Sequence, residues 1–364
     1  MQRLLLGIAR RVVRLHYRLG HLGGAVPAAG PVLLVANHPN GLVDPVVLAC
    51  TTRRRVRFLG KAPLFDLPIL GRVLRGLAVL PVYRPQDGDD PARNEATFAA
   101  AIAALRAGDL VCLFPEGVSH SDPSLRALKT GAARMALGAE AAGGFAVGVR
   151  ILPVGLVYRS RRRFRSRVAT WVGAPIEVRD LAASFRAEER AAVRDLTARI
   201  AQGIGEVTLQ LDRWEDLPLL ELAERIWREG EEERVVRLKR FADGVRALRA
   251  RDPGRVEELA LRIAAFGDRL AHLGVTVADL DVRYTVPNVL RFFLVNLRQL
   301  VLWLPAAAAG AAFWYLPYRA VGWIGRRHAP SPDTAATTFL LAAAVLFPAW
   351  LLLAALAAAL AGGA

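Results

Sequence analysis

The chain has 364 residues, 49 Lys and Arg against 33 Asp and Glu for a formal net charge of +16, and 54% hydrophobic residues with a mean hydropathy of +0.29. This length allows one or two domains with a substantial core and excludes a small stapled fold. The apolar content exceeds the roughly 45–50% of soluble domains, which excludes disorder as the main state and points toward membrane contact. The charge admits an anionic partner (phosphate, nucleic acid or a membrane surface) without choosing among them. Only three lysines occur, Lys61, Lys129 and Lys239, so a general preference for arginine also contributes. Cys50 and Cys112 each sit in an apolar run, which excludes a disulfide framework or a cysteine-based zinc cage and fits a reduced compartment.

Along the first twenty residues, Leu5, Ile8, Val12 and Leu15 fall at helical spacing with Arg3, Arg10, Arg14 and Arg18 opposite, predicting an amphipathic basic helix over 1–20. Arg10 and Arg11 interrupt its apolar stretch too early for a signal peptide. Two placements fit it, in a membrane interface or packed on the domain, and the first is preferred. Residues 21–180 then alternate β-branched apolar runs (32–36, 56–59, 77–82, 110–114, 151–157, 168–172) with helix-like segments at 94–105 and 125–139. The expected fold is α/β: a mixed, largely buried β-sheet flanked by helices. Residues 181–298 read as a charged helical extension. Residues 299–364 contain two uncharged stretches, Gln299–Tyr318 and Thr334–Ala364, each long enough to span a membrane, giving a C-terminal hydrophobic hairpin. Trp303, Trp314, Tyr315, Tyr318 and Trp323 suit interfacial anchors. Pro305, Pro317 and Pro348 also allow a re-entrant hairpin, and arginines on both sides of the first stretch leave orientation open.

Chemistry concentrates at strand ends. After the first β-run comes Asn37-His38-Pro39-Asn40-Gly41-Leu42-Val43-Asp44-Pro45. A histidine followed by a turn-forming loop and an aspartate suits a general base with its orienting carboxylate. Asp44-Pro45 equally suits a helix N-cap. Leu113-Phe114-Pro115-Glu116-Gly117 delivers a carboxylate to another strand end, with a glycine that permits close backbone approach. Arg84 closes the run after Gly76, Lys129-Thr130-Gly131 lies in a helical pattern, and His120 reads as a loop residue rather than a second base.

Taken in order, His38…Asp44, Gly76…Arg84, Phe114-Pro115-Glu116-Gly117 with Lys129-Thr130-Gly131, and Leu152-Pro153-Val154-Gly155 resemble the four motif blocks of the glycerolipid acyltransferase family. The resemblance covers about 31–175. Glu206-Val207-Thr208, Trp214-Glu215-Asp216-Leu217 and the hydrophobic tail look like its glycerol-3-phosphate and dihydroxyacetone-phosphate branch. One departure stands out: five residues, not the usual four, separate His38 from Asp44.

The resemblance implies an O-acyltransferase using acyl-CoA or acyl-ACP, with glycerol-3-phosphate or lysophosphatidic acid as acceptor and no bound cofactor or metal. His38 and Asp44 would be catalytic; Arg84 would bind the phosphate, with Lys129 the weaker candidate, Glu116 and Gly117 would position the glycerol hydroxyls, and Pro153 would shape the fold beside the acyl channel. No Gly-x-Ser-x-Gly elbow competes. Implied too is an inner-membrane location with the catalytic domain facing the cytoplasm and contacts to anionic lipids. Two rivals come from other classes. The arginines at 159, 161, 162, 163, 165 and 167 around Phe164 suit nucleic acid as well as anionic headgroups, the latter preferred. The fold can also serve as a catalytically silent lipid-binding module.

Overall fold

The computed structural model describes residues 2–84, 87–88, 90–227, 232–281, 285–328 and 335–362. Thr334 and Ala364, at the ends of the second apolar stretch, lie outside the described residues, as do the side chains of Arg3 and Leu5. Two compact units emerge: Met1–Trp214 with Leu238–Asp243, and Glu215–Arg237 with Gly244–Ala364.

In chain order the first unit contains α1 (Gln2–His16), β1 (Tyr17–Gly23), β2 (Val32–Ala36), α2 (Val43–Ala49), β3 (Val56–Lys61), α3 (Leu70–Gly76), β4 (Leu80–Val82), α4 (Asn94–Arg106), β5 (Leu110–Leu113) and α5 (Gly131–Ala142). It continues through β6 (Arg150–Tyr158), β7 (Ser166–Val172), β8 (Ile176–Glu177), α6 (Ala182–Ala187) and α7 (Glu189–Glu206). The sheet runs β1-β7-β6-β2-β5-β3-β4 with β8 added on β6. Strands β6, β2, β5, β3 and β4 are parallel, β7 is antiparallel to β6, and β1 is parallel to β7. This is the expected mixed α/β sheet. Every residue of β2 is buried, as its unbroken apolar run predicts for a central parallel strand. Alternate residues Leu33, Val35, Val111, Leu113 and Ile151 join Ala136, Leu137, Leu196 and Ile200 from α5 and α7 in one core.

Three expectations change. The predicted helix over 1–20 stops at His16, and Tyr17–Gly23 pairs with β7 along its whole length, from Tyr17↔Ser166 to Gly23↔Val172. α1 packs on α2: Val13 is buried, and Arg10 donates from Nη2 to the carbonyls of Ala49 (2.5 Å) and Thr52 (3.1 Å). The helix predicted over 125–139 begins only at Gly131: the Lys129 N–H, which a helix starting at Leu125 would give to the Leu125 carbonyl, donates to the Pro115 carbonyl at 2.7 Å instead. The expected boundary at 180 falls inside the first unit, since α7 buries Ala192, Leu196, Ile200 and Ile204 against the sheet. A Cβ on Gly155 would collide with the Val207 carbonyl, so the strand and the end of α7 meet backbone to backbone.

The second unit contains α8 (Asp216–Ile226), both ends of α9 (Arg234–Arg251), α10 (Pro253–Leu273), α11 (Val286–His328) and α12 (Ala335–Gly362). Glu224, 2% exposed, is held by Arg234 (3.3 Å) and Arg237 (2.7 Å), a buried charge kept by direct pairing. α11 continues through Pro305 and Pro317 and α12 through Pro348. Gly325 against Phe339, Trp314 against Phe347 and Phe313 against Trp350 make the pair an antiparallel hairpin. Both helices are long and apolar enough to cross a membrane, and their large side chains face outward: Leu302 is 67% exposed and Leu352 72%.

Candidate active site

β2 ends at Ala36, and the next residue keeps the ladder going by side chain. Asn37 accepts the N–H of Leu156 (2.7 Å) and donates Nδ2 to the Leu156 carbonyl (3.1 Å), completing one rung on β6. His38 follows, its ring stacked on Phe114 with centroids 3.9 Å apart and planes 11° from parallel. Its Nδ1 lies 2.8 Å from Oδ2 of Asp44, which is fully buried at the start of α2.

Asp44 decides the tautomer. Oδ2 also accepts the N–H of Asn40 (2.7 Å), and Oδ1 accepts the Tyr158 hydroxyl (2.6 Å). A carboxylate ringed by donors is an acceptor only, so Nδ1 of His38 carries the proton and Nε2 presents its lone pair. Nε2 has no partner among the described residues. Burial pushes the Tyr158 hydroxyl well above its ordinary range, reinforced by the adjacent Asp44 charge, so it stays a donor. Tyr17, which receives Nδ2 of Asn40 at 3.2 Å and donates to the Arg161 carbonyl, is pushed up by burial to about 12. Asp44 makes no cap to α2, whose N-terminus has no side-chain cap bond; the carboxylate serves the loop rather than the helix.

Between His38 and Asp44 the loop turns at Gly41, with φ of 46°, where a side chain is disfavoured. The loop is tied on all sides. Gly41 N–H donates to Ser119 Oγ (3.1 Å), and Arg161 donates from Nη1 to the Pro39 carbonyl and to Ser121 Oγ, both at 2.8 Å.

Glu116, 3% exposed, is a hub. Oε1 accepts the His38 N–H (3.2 Å), and Oε2 accepts the Arg126 N–H (2.9 Å) and Nε2–H of His120. His120 Nδ1 in turn accepts the Asp122 N–H (3.1 Å), so both of its ring nitrogens are engaged. Gly117 has φ of 74° and is covered by the stem of Lys129, whose Cγ and Cε would lie 3.4 and 3.5 Å from an added Cβ. Lys129 is exposed, and its ammonium has no ion-pair partner among the described residues. Arg84 is bidentate to Asp87 (2.6 and 2.9 Å) and donates Nη1 to the Gly117 carbonyl. Pro153 sits mid-strand in β6, its ring against Gly203 of α7 on the core side. Thus His38, Asp44 and Glu116 converge, Arg84, Gly117 and Lys129 form a flanking group, and Pro153 lies within the sheet packing.

Sequence reading gave no site role to Asn40 within the loop, nor to Tyr17, Tyr158 and Arg161, which hold the loop from 23, 114 and 122 residues away. Nor did it place Gln210 or Trp214 at the site; the latter's Nε1 donates to the Ser121 carbonyl (2.6 Å), tethering the loop after Glu116. A cavity of about 50 Å³ opens between His38, Glu116, His120, Leu125 and Gln210, room for a hydroxyl or a water or two rather than a whole acceptor. A larger one, about 540 Å³, lies among Leu19, His21, Val26, Cys50, Arg53 and Arg54 and touches none of the predicted site residues. Burial pushes both thiols up, Cys112 most, which disfavours a thiolate nucleophile. Among the described residues no group of three His, Cys, Asp or Glu side chains could hold a metal.

Residues 21–157, which contain this loop and both histidine–carboxylate pairs, match the family model for acyltransferases. More particularly, glycerol-3-phosphate O-acyltransferases 2 and 1 of Saccharomyces cerevisiae are each 35% identical to it, over 135 and 126 residues. These alignments take in 37% and 34% of this chain and 18% and 16% of the yeast proteins, so the chain spans under a fifth of the length of the curated relatives it matches. The resemblance to the glycerolipid acyltransferases read from the motif blocks therefore holds. Among solved structures, the 1-acyl-sn-glycerophosphate (LPA) acyltransferase PlsC of Thermotoga maritima is 19% identical with a TM-score of 0.39, covering 55% of this chain and 80% of that one.

Proposed function

We propose that the protein is an O-acyltransferase that moves a fatty acyl group from acyl-CoA or acyl-ACP to a hydroxyl of glycerol-3-phosphate. The observation that carries this reading is the His38–Asp44 pair, with one imidazole nitrogen fixed at 2.8 Å and the other unpartnered beside a small cavity. Nε2 takes the acceptor hydroxyl's proton as that oxygen attacks the thioester carbonyl, and Asp44 stabilises the imidazolium that forms. Collapse of the tetrahedral intermediate expels the thiolate, which regains a proton from Nε2. No acyl-enzyme forms, in keeping with thiols that burial holds protonated.

Glycerol-3-phosphate as acceptor is supported by the yeast relatives. For its phosphate we favour the exposed Lys129 over Arg84, whose guanidinium is committed to Asp87 and Gly117. Glu116, with both oxygens accepting bonds, serves by fixing the loops around the acceptor rather than by free coordination of its hydroxyls. Attachment to a membrane, with the domain facing the cytoplasm, is supported by the outward apolar faces of α11 and α12 and by unpaired cysteines.

The test is an acceptor panel with the purified protein in detergent, using acyl-CoA and acyl-ACP as donors. Glycerol-3-phosphate should be acylated fastest, and Lys129→Ala should raise its KM more than Arg84→Ala. Preference for lysophosphatidic acid moves the chain to the second acylation step. Equal use of lysophosphatidylcholine, whose phosphate is a diester, removes the phosphate reading altogether.

A further inference from the structure

The β6–β7 turn does not stand free: it docks on the end of α1. Arg165, in left-handed backbone with φ of 58°, donates its N–H to the His16 carbonyl at 2.6 Å, and the Phe164 ring meets His16 edge-on at 5.7 Å. Immediately afterwards β1 and β7 run side by side, so Arg18 stands beside Arg167. Two segments far apart in sequence thereby become one surface. Arg14, Arg18, Arg162, Arg163, Arg165 and Arg167 are all exposed there, and none pairs with a carboxylate among the described residues. The segments could not supply one, since 1–43 and 141–176 contain no Asp or Glu.

Such a surface is unfavourable in isolation. Like charges on adjacent strand positions repel, and a left-handed bulky residue carries strain. An anionic partner relieves the repulsion. What kind of partner follows from the apolar side chains among the guanidiniums: Leu15 is 64% exposed and Phe164 59%. A phosphate backbone needs the charges alone, whereas a bilayer interface takes both, guanidiniums at the headgroups and bulky apolar groups at the acyl boundary. The surface also borders the site: Arg161 of the same turn holds the Pro39 carbonyl, and Tyr17, next to His16, holds Asn40.

We propose that the end of α1 and the β6–β7 turn form a docking surface for an anionic lipid leaflet, which sets the His38 loop beside the membrane independently of the apolar hairpin. What the docking serves rests on the acyl-transfer reading, but the docking is measured without turnover. The full-length protein is placed in nanodiscs of phosphatidylcholine alone or of equal parts phosphatidylcholine and phosphatidylglycerol, and backbone hydrogen exchange is followed by mass spectrometry. Residues 8–18 and 159–167 should exchange roughly tenfold more slowly on the anionic discs, with protection lost in high salt and in the Arg162→Glu/Arg163→Glu variant. The core strands β2 and β5 serve as the folding control for that variant. Equal exchange on both discs overturns the proposal, as does protection of the turn by duplex DNA on neutral discs. Acyl transfer on the same discs keeps the two readings apart: turnover without anionic protection removes the docking alone, and protection without turnover removes the reaction alone.

Discussion

Two histidine–carboxylate pairs sit at neighbouring strand ends, and they are built for different work. In His38–Asp44 the carboxylate is saturated with donors and the imidazole keeps one nitrogen unpartnered. In His120–Glu116 the imidazole is used at both nitrogens, and the carboxylate reaches back to the His38 N–H. The backbone links them a second time, since the His120 N–H donates to the His38 carbonyl at 3.2 Å. One pair is therefore chemically available, and the other is the clamp that holds it. Residue type and the presence of a nearby carboxylate do not distinguish base from brace; the inventory of occupied lone pairs and protons does.

The sharpest way to break this comparison is to remove each histidine in turn. His38→Ala should lower acyl transfer by roughly 10²–10⁴ with little change in thermal unfolding. His120→Ala should instead lower stability and leave kcat within a few-fold of the parent; the reverse pattern of kcat and Tm would exchange the roles. Next comes Glu116→Gln, which replaces charge-assisted bonds with weaker ones: about 2 kcal/mol of stability, or roughly 4–8 °C in Tm, is expected by scanning calorimetry. Tyr158→Phe should cost about tenfold in kcat, one hydrogen bond's worth of orientation, with the acceptor KM unmoved. A KM effect instead would place Tyr158 at the acceptor rather than behind Asp44. A last effect is confined to high pH. Tyr17 and Tyr158 hold their protons longer folded than unfolded, so the folded state binds more protons and stability falls as pH climbs from about 10 toward 12. Denaturant midpoints measured between pH 9 and 12 should show that fall, and it should be shallower in Tyr158→Phe.

Much of this was legible without coordinates. The β2 and β5 runs, the loop after Ala36 and the two uncharged tail stretches carry strong local patterns, and their residues lie where those patterns say. What escaped depends on distant partners. Tyr17-Arg18-Leu19-Gly20 continues the helical spacing of the residues before it and becomes a strand only because β7 offers it an edge. Leu125–Thr130 has helical composition, yet the carbonyl of Pro115 takes the Lys129 N–H that a helical turn would need. For Arg84 and Glu116 the sequence shows the charge and not the Asp87, His120 and backbone groups that engage it. Tyr158 gives no signal at all beyond a polar tip at a strand end.

The edge position of β1 bears on any attempt to trim this protein. The first twenty residues look like a detachable anchor, and cutting at Gly20 would seem to cost only the basic helix. It would also delete Tyr17, leaving Nδ2 of the fully buried Asn40 without its acceptor two residues from the candidate base. Loss of the first half of β1 would strip β7 of its neighbour and bare a row of unpaired N–H and C=O groups, the template for edge-to-edge aggregation. A shortened form that precipitates or falls silent would thus report a torn sheet rather than a lost membrane tether.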